Sequence, residues 1–274
     1  LSGGLIRTNP RAFLDNMPLR RFLQETLRLD GIQIALELNA LRGVAVTASG
    51  YTSASATSYF QAQAGIGEWQ RTRRRGLATK LNVHHLLASA SLPILFPAER
   101  IGNEYFGDGG MRMVAPLSPA IHLGASRIMV IGTRDEKPDL PPESPADYPS
   151  AGEIGGYLMD TIFMDTLNAD VARMKRINKT LELVAEEKRH ETNLININSL
   201  VLKPSKDLRH ITQAHVGDIP LSVQVLLRTL GGWGRDWRMA SYLLFESAYC
   251  GELIDLGYAD GMNAEQDIVH FLKD

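Results

Sequence analysis

Cysteine is almost missing from this chain: Cys250 is the only one in 274 residues. It has no internal disulfide partner, which neither requires nor excludes an oxidising compartment. No apolar run approaches the ~20 residues needed to cross a bilayer as a helix. Neither charge sign dominates. The 29 Lys and Arg residues face 31 Asp and Glu residues, a net charge of -2. No global field therefore recruits nucleic acid or an anionic membrane. The Gly-x-Ser-x-Gly nucleophile elbow of serine hydrolases occurs nowhere. Internal repeats and low-complexity tracts are also lacking. The chain opens Leu1-Ser-Gly-Gly with neither an initiator Met nor a signal peptide, so a preceding N-terminal segment is expected.

What remains is ordinary globular material, 44% hydrophobic and 22% charged. The length suits one large core or two modest domains. Asn16 is placed to cap a helix starting near Pro18, with Leu19, Phe22, Leu23 and Leu27 on one side. Asp30 is placed to cap a second helix, where Ile34, Leu38 and Leu41 recur. Val44–Ser49 reads as a strand, with Thr57–Gln61 as its hairpin partner. Residues 80–91 read as a helix ended by Pro93 and Pro97. Strands follow near Glu99–Ile101 and Glu104–Phe106 around a Gly102-Asn103 turn. Ser118 and Pro119 open a short helix that Gly124 closes. Arg127–Gly132 is apolar on both faces, as in a central strand covered by helices.

Prolines 138, 141, 142, 145 and 149 then lie among acidic residues, the pattern of a linker over 136–152. Beyond it helices are expected near 153–188, 219–230, 236–256 and 263–272, with one strand near Ser199–Lys203.

The most informative segment is Glu104-Tyr-Phe-Gly-Asp-Gly-Gly-Met111, followed by the Pro116–Gly124 helix and the Arg127–Gly132 strand. It places Asp108 on a glycine turn between rigid elements, where α/β folds carry reactive groups. An Asp-Gly pair also makes an ordinary turn, because Asp bonds nearby backbone and Gly accepts positive φ.

Its context adds Ala88-Ser89, Pro93 and Phe96-Pro97 upstream. Downstream are Pro116, the Ala120–Ala125 stretch and Val130-Ile-Gly132. In this order the set resembles the C-terminal half of a patatin-like phospholipase domain, most closely that of bacterial patatin-like proteins. Asn16-Met-Pro-Leu-Arg-Arg-Phe22 is similar to the segment that follows the nucleophile helix in that family. The resemblance spans roughly residues 10–135, and a helical C-terminal extension is also usual there.

The resemblance implies a Ser–Asp dyad that hydrolyses lipid esters without a histidine between its members. Asp108 takes the acid's place, and Gly109 and Gly110 match the turn that holds it. The elbow serine and the glycine-rich oxyanion loop have no counterpart in this sequence. The chain is thus expected to supply half of a dyad and to be inactive by itself. A pseudoenzyme that binds lipid or a partner is the alternative, and an unrelated α/β ligand-binding domain a third.

Ser89 and Ser91 lie near His84, His85 and Asp108 in sequence, but neither sits in a glycine elbow, so both read as helix-end serines. Adjacent His84 and His85 point about 100° apart on a helix, which excludes an i,i+4 metal pair and suggests one packed and one surface histidine. His122 reads as packing or orienting its short helix. Arg71 with Arg73-Arg74-Arg75 is the densest basic cluster. It is either solvated loop charge or a contact to anionic headgroups, with Trp69 inserting at the interface. Trp233, Trp237, Tyr242, Phe245 and Tyr249 recur at helical spacing and read as core, with an acyl-chain groove as the alternative. Met159, Phe163 and Leu167 pose the same choice. Gly231-Gly-Trp-Gly234 follows no strand and does not match a phosphate loop.

The expected architecture is α/β: a three-layer sandwich with a mainly parallel central sheet, its N-terminal part missing. Residues 1–135 form the catalytic part, 136–152 the linker and 153–274 the helical extension. The expected partner is a lipid ester substrate, with peripheral membrane contact and no nucleic acid. No cofactor or metal is required. A cytoplasmic or peripheral-membrane location follows.

Overall fold

The computed structural model describes residues 12–135, 148–163, 165–192, 194–234 and 237–273. Most of the proline-rich linker, including Pro138, Pro141, Pro142 and Pro145, lies outside the described residues. The chain divides into two compact units, residues 1–126 and 127–274.

The first unit is built on a six-stranded sheet. Its strands are β1 (Gly43–Gly50), β2 (Ala56–Ala62), β3 (Trp69–Arg71), β4 (Arg74–Ala78), β5 (Glu99–Ile101) and β6 (Glu104–Gly107), ordered β3-β4-β2-β1-β6-β5. The α/β class stands, but the sheet is mixed rather than mainly parallel. Only β2 and β4 run parallel. The other pairings, β1–β2, β1–β6, β3–β4 and β5–β6, are antiparallel. The reason is local. Short turns join β1 to β2, β3 to β4 and β5 to β6, and a parallel pair needs a longer crossover. The hairpin around Gly102 (φ 61°) is as the sequence suggests.

Val44, Val46 and Ala48 alternate along β1 and share one face. They meet Tyr59, Phe106, Leu81 and Ala88 in a continuous apolar cluster. Leu81 and Ala88 come from the segment around helix α3 (Val83–Ala90). On the opposite face Thr47 and Ser58 share a 2.8 Å hydroxyl bond, and Phe60 stacks on Trp69 at 4.9 Å.

Helix α1 (Met17–Thr26) follows Asn16, but Asn16 does not cap it. Asp15 does: its carboxylate accepts the Met17 N–H at 3.0 Å. Helix α2 (Asp30–Glu37) begins at Asp30 itself, whose side chain pairs with Lys80 at 2.7 Å instead of capping. Asn82 is a true cap. Its carboxamide oxygen accepts the His84 N–H, while His85 Nδ1 accepts the Asn82 N–H at 3.1 Å. His85 is buried against Tyr59, and burial lowers its pKa. His84 is the more exposed of the two, as the pairing of adjacent histidines implied.

The second unit contains β7 (Arg127–Ile131) paired in parallel with β8 (Asn198–Leu202). Among the described residues β7 is not a central strand. Ile128 and Val130 are buried, and Ile131 is 76% exposed. In the first unit α4 (Ser118–His122) begins at Ser118, whose side chain does not cap it; in the second, α5 (Ala151–Phe163) and α6 (Asp165–Leu183) occupy the long helical stretch, and α7 (Leu208–Ala214) follows β8. Helix α8 (Leu221–Leu230) ends at Gly231 in the left-handed conformation. The helix expected over 236–256 is broken into α9 (Arg238–Ser241) and α10 (Ser247–Asn263). Helix α11 (Glu265–Lys273) completes the unit. Gly231-Gly232 is a packing device: a Cβ on Gly152 would lie 2.2 Å from the Gly232 nitrogen. No helix among the described residues is long and apolar enough to cross a membrane.

Candidate active site

Strand β6 ends at Gly107, and Asp108 caps the 3-10 turn Gly109–Arg112 that follows. The Asp108 carboxylate accepts the Gly110 N–H at 2.7 Å. Its own N–H donates to the Ser91 carbonyl at 2.9 Å, tying the turn to the end of α3. Ser49 Oγ donates to the Gly109 carbonyl at 3.2 Å. Both glycines are thereby placed. Gly109 is the constrained one: a Cβ there would lie 2.3 Å from the Thr47 carbonyl oxygen, so only a glycine backbone passes beneath β1.

This fixes the electrostatics of Asp108. Its residue is mostly buried, and the Gly110 N–H is the one hydrogen-bond donor it has among the described residues. Burial raises the carboxyl pKa and the N–H lowers it. Burial wins, and the pKa stands at about 6. A free aspartate lies near ~3.9, so Asp108 is a stronger base than an exposed carboxylate and still largely ionised at neutral pH.

Tyr51 is a neighbour that sequence spacing does not reveal. Its hydroxyl lies 2.7 Å from where a Gly107 Cβ would be. Burial and the Asp108 charge both raise its pKa. Only the β1–β6 register, with Gly50 opposite Phe106, brings residues 51 and 108 together.

Beside this turn the sheet is open. Strand β1 pairs with β2 from Gly43 to Ser49, but with β6 only at Ser49 and Gly50. Among the described residues the remainder of that edge has no strand partner. A cavity of about 570 Å³ runs along it, lined by Ala45, Thr47, Leu86, Ser89, Met113 and Pro119 among others. Thr47 and Ser89 also flank Gly109, so the apolar groove reaches the acid's turn. Ser91 is a helix-end serine, its hydroxyl donating to the Leu87 carbonyl at 2.6 Å.

The arginine cluster is held elsewhere. Arg73 occupies the β3–β4 turn at φ 56°. Arg71 and Arg74 stand opposite each other across that hairpin, and Arg75 donates to the buried Thr57 hydroxyl at 3.0 Å. Strands β2 and β1 intervene between β4 and β6, a separation of about 14 Å at ordinary strand spacing. Trp69 is not an interfacial anchor. It is stacked between Phe60 and His122, the latter at 4.6 Å, and Gly76 leaves room for its ring. His122 packs as its helix required. Among the described residues no group of three or more His, Cys, Asp or Glu side chains is placed to hold a metal ion.

Of the C-terminal aromatics, Tyr249 is core at 3% exposure, whereas Phe245 is 71% exposed and not core. Trp233 and Trp237 meet edge to face at 5.3 Å. The Phe163 side chain lies outside the described residues.

A family model described as patatin-like phospholipase matches residues 2–121. That segment includes Asp108 and its turn, the open β1 edge and all of the six-stranded sheet. Comparison with curated proteins and with solved structures gives no match.

Proposed function

We propose that residues 2–121, which match a family model described as patatin-like phospholipase, are part of a lipid acyl hydrolase. We propose that Asp108 is the acid–base member of a Ser–Asp dyad acting on phospholipids, lysophospholipids or simpler lipid esters. The observation that carries this reading is a mostly buried carboxylate, with one N–H donor and a pKa near 6, on a glycine turn beside an apolar groove. In this reading the nucleophilic serine lies outside the 274 residues. The segment bearing it seats along the open edge of β1, next to Gly109.

The chemistry follows from the charge state. Ionised Asp108 accepts the serine proton as the serine oxygen attacks the ester carbonyl. The tetrahedral oxyanion needs backbone N–H donors, which the serine-bearing segment supplies. Collapse expels the alcohol, which takes the proton from Asp108, and leaves an acyl-serine. Water then releases the acid by the same route. Tyr51, kept protonated by its raised pKa, is a hydroxyl donor at the rim of this site. The first unit carries the chemistry and the second is a helical extension.

The test has two arms. The 274-residue chain alone should not turn over short p-nitrophenyl esters. Combined with a Gly-x-Ser-x-Gly segment it should react with a fluorophosphonate, and Asp108→Asn should abolish that labelling. Turnover by the chain alone that is lost on Ser89→Ala would defeat the proposal. The competing reading, a non-catalytic lipid binder, is favoured by the finding that no hydroxyl among the described residues donates to Asp108. A complete protein that binds lipid yet resists the fluorophosphonate would establish it.

A further inference from the structure

Helix α6 in the second unit turns one side inward and one outward. Val171, Met174 and Leu181 are buried. On the opposite side Ala172, Arg176, Lys179 and Leu183 follow one line down the helix, with Lys175 next to them. All five are exposed. Arg173 is spent on the buried Asp170 at 3.4 Å. Lys175, Arg176 and Lys179 are not spent: among the described residues no side-chain hydrogen bond or ion pair engages any of them. Glu182, at the edge of this face, is its one carboxylate. Unpaired cations are thus concentrated on a chain whose net charge is -2.

The end of the face is built and not frayed. Arg189, from the 3-10 turn Glu186–Thr192, shares its Nε–H between the Leu181 and Val184 carbonyls, 3.1 Å from each. These bonds fix the last turn of α6 on either side of Leu183, which is nonetheless 84% exposed. Asn178 clamps a second segment to the helix. Its carboxamide donates to the Ile197 carbonyl at 2.7 Å and accepts the Ile197 N–H at 3.0 Å. Leu194 and Ile195, just ahead of that clamp, are exposed as well.

Taking apolar surface out of water is favourable, so a leucine held in water by its backbone gains only from a partner. The cations select the partner's charge and the leucine selects its phase. A nucleic-acid backbone answers the charge and offers nothing to the leucine. An anionic lipid surface answers both, because headgroups take the cations and apolar side chains enter the acyl boundary. The apolar stems of Lys and Arg let their charged ends stay at headgroup level while Leu183 goes deeper. We infer that the outer face of α6 docks on an anionic lipid bilayer, with Lys175, Arg176 and Lys179 against the headgroups and Leu183 below them. This goes beyond the hydrolase reading and does not rest on it.

The test is co-sedimentation of the 274-residue chain with phosphatidylcholine vesicles, with and without phosphatidylserine. The chain should pellet with the phosphatidylserine vesicles only, and less as salt is raised. Lys175/Arg176/Lys179→Ala should weaken binding about a hundredfold, since each cation near such a surface contributes a factor of about five. Leu183→Ala should weaken it about fivefold or more, through the apolar area left in water. These positions are exposed and Ala favours the helix, so the urea midpoint should be that of the parent.

A wild-type chain that stays in the supernatant would overturn the inference, as would equal pelleting with phosphatidylcholine alone. So would a triple variant that binds like the parent, or binding lost in Arg73/Arg74/Arg75→Ala instead. Binding to a DNA duplex in place of vesicles, unaffected by Leu183→Ala, would make the partner nucleic acid and defeat the lipid assignment. Vesicle binding that persists in Asp108→Asn, in a protein that never hydrolyses esters, would leave this surface standing while the dyad falls.

Discussion

Glu99 and Asp108 flank the same β5–β6 hairpin, and both are carboxylates taken largely out of water. Their fates are opposite. Burial works to raise Glu99, but hydrogen bonds from Arg20 and His84, each at 2.6 Å, outweigh it and hold the pKa below the ordinary value. Asp108 has one backbone N–H and no cation, so burial prevails and the pKa climbs to about 6. The sheet treats the two acids alike and the partners differ. A buried acid held by an arginine and a histidine is a structural cross-link; one left with a single dipole is poised to exchange a proton.

The sharpest way to break this contrast is Asp108→Asn in a protein that includes the serine-bearing segment. Hydrolysis should fall by about 10³-fold or more, as for loss of a catalytic base. In the parent, kcat/KM should rise with pH around a midpoint near 6 as the base ionises. A profile flat from pH 5 to 8 would remove Asp108 from the chemistry.

Stability should show the opposite sign. A carboxyl raised from 3.8 to about 6 stabilises the fold fully below pH 4, and that contribution is lost as pH rises through 6. Asn cannot ionise, so above pH 6 the variant should be more stable than the parent, by about 3 kcal/mol. The difference should close below pH 4 in urea titrations.

Gly109→Ala tests the rigidity of the turn. Its methyl group meets the Thr47 backbone, which cannot yield without breaking strand register, and a loss of about 3 kcal/mol is expected. A loss under half that would mean the turn is pliant.

Glu99→Gln completes the contrast. It leaves Arg20 without its counter-charge and should cost about 2 kcal/mol, discounted because Arg20 is partly exposed. Because the Glu99 pKa is lowered, its contribution is present above about pH 4.5 and fades as pH falls through the depressed value. The parent–variant gap should therefore shrink in acid for Glu99 and, with reversed sign, for Asp108. Matching pH curves from the two variants would contradict the account.

The smallest effect is expected at the arginine hairpin. Arg73/Arg74/Arg75→Ala should weaken co-sedimentation with anionic vesicles by only a few-fold, about 1 kcal/mol, because Arg73 alone of the three is exposed. Unchanged binding would leave these residues as solvated charge.

Much of the first unit was legible in the residues. Alternation set β1, proline and serine placed the short helix, and Gly102-Asn103 marked the hairpin. The Asp-Gly-Gly turn stood out because few residue pairs give both a capping oxygen and a clash-free backbone. What failed to show was long-range. Pairing direction depends on which strands meet, and the β2–β4 contact spans a hairpin that local patterning did not flag. Tyr51 reaches Asp108 only through cross-strand register. Asn16 looked like a cap, yet it is Asp15 that accepts the Met17 N–H. The direction of the Asp108 shift was also hidden, since burial and the Gly110 N–H oppose each other and only three-dimensional depth decides between them.

The most direct measurement is the titration of the Asp108 side-chain carboxyl carbon by NMR in the 274-residue chain, assigned with Asp108→Asn. The account predicts a midpoint near pH 6, well above that of Glu99. A midpoint at or below 4 would show an acid stabilised in its charged form, and the case for Asp108 as a base would be contradicted.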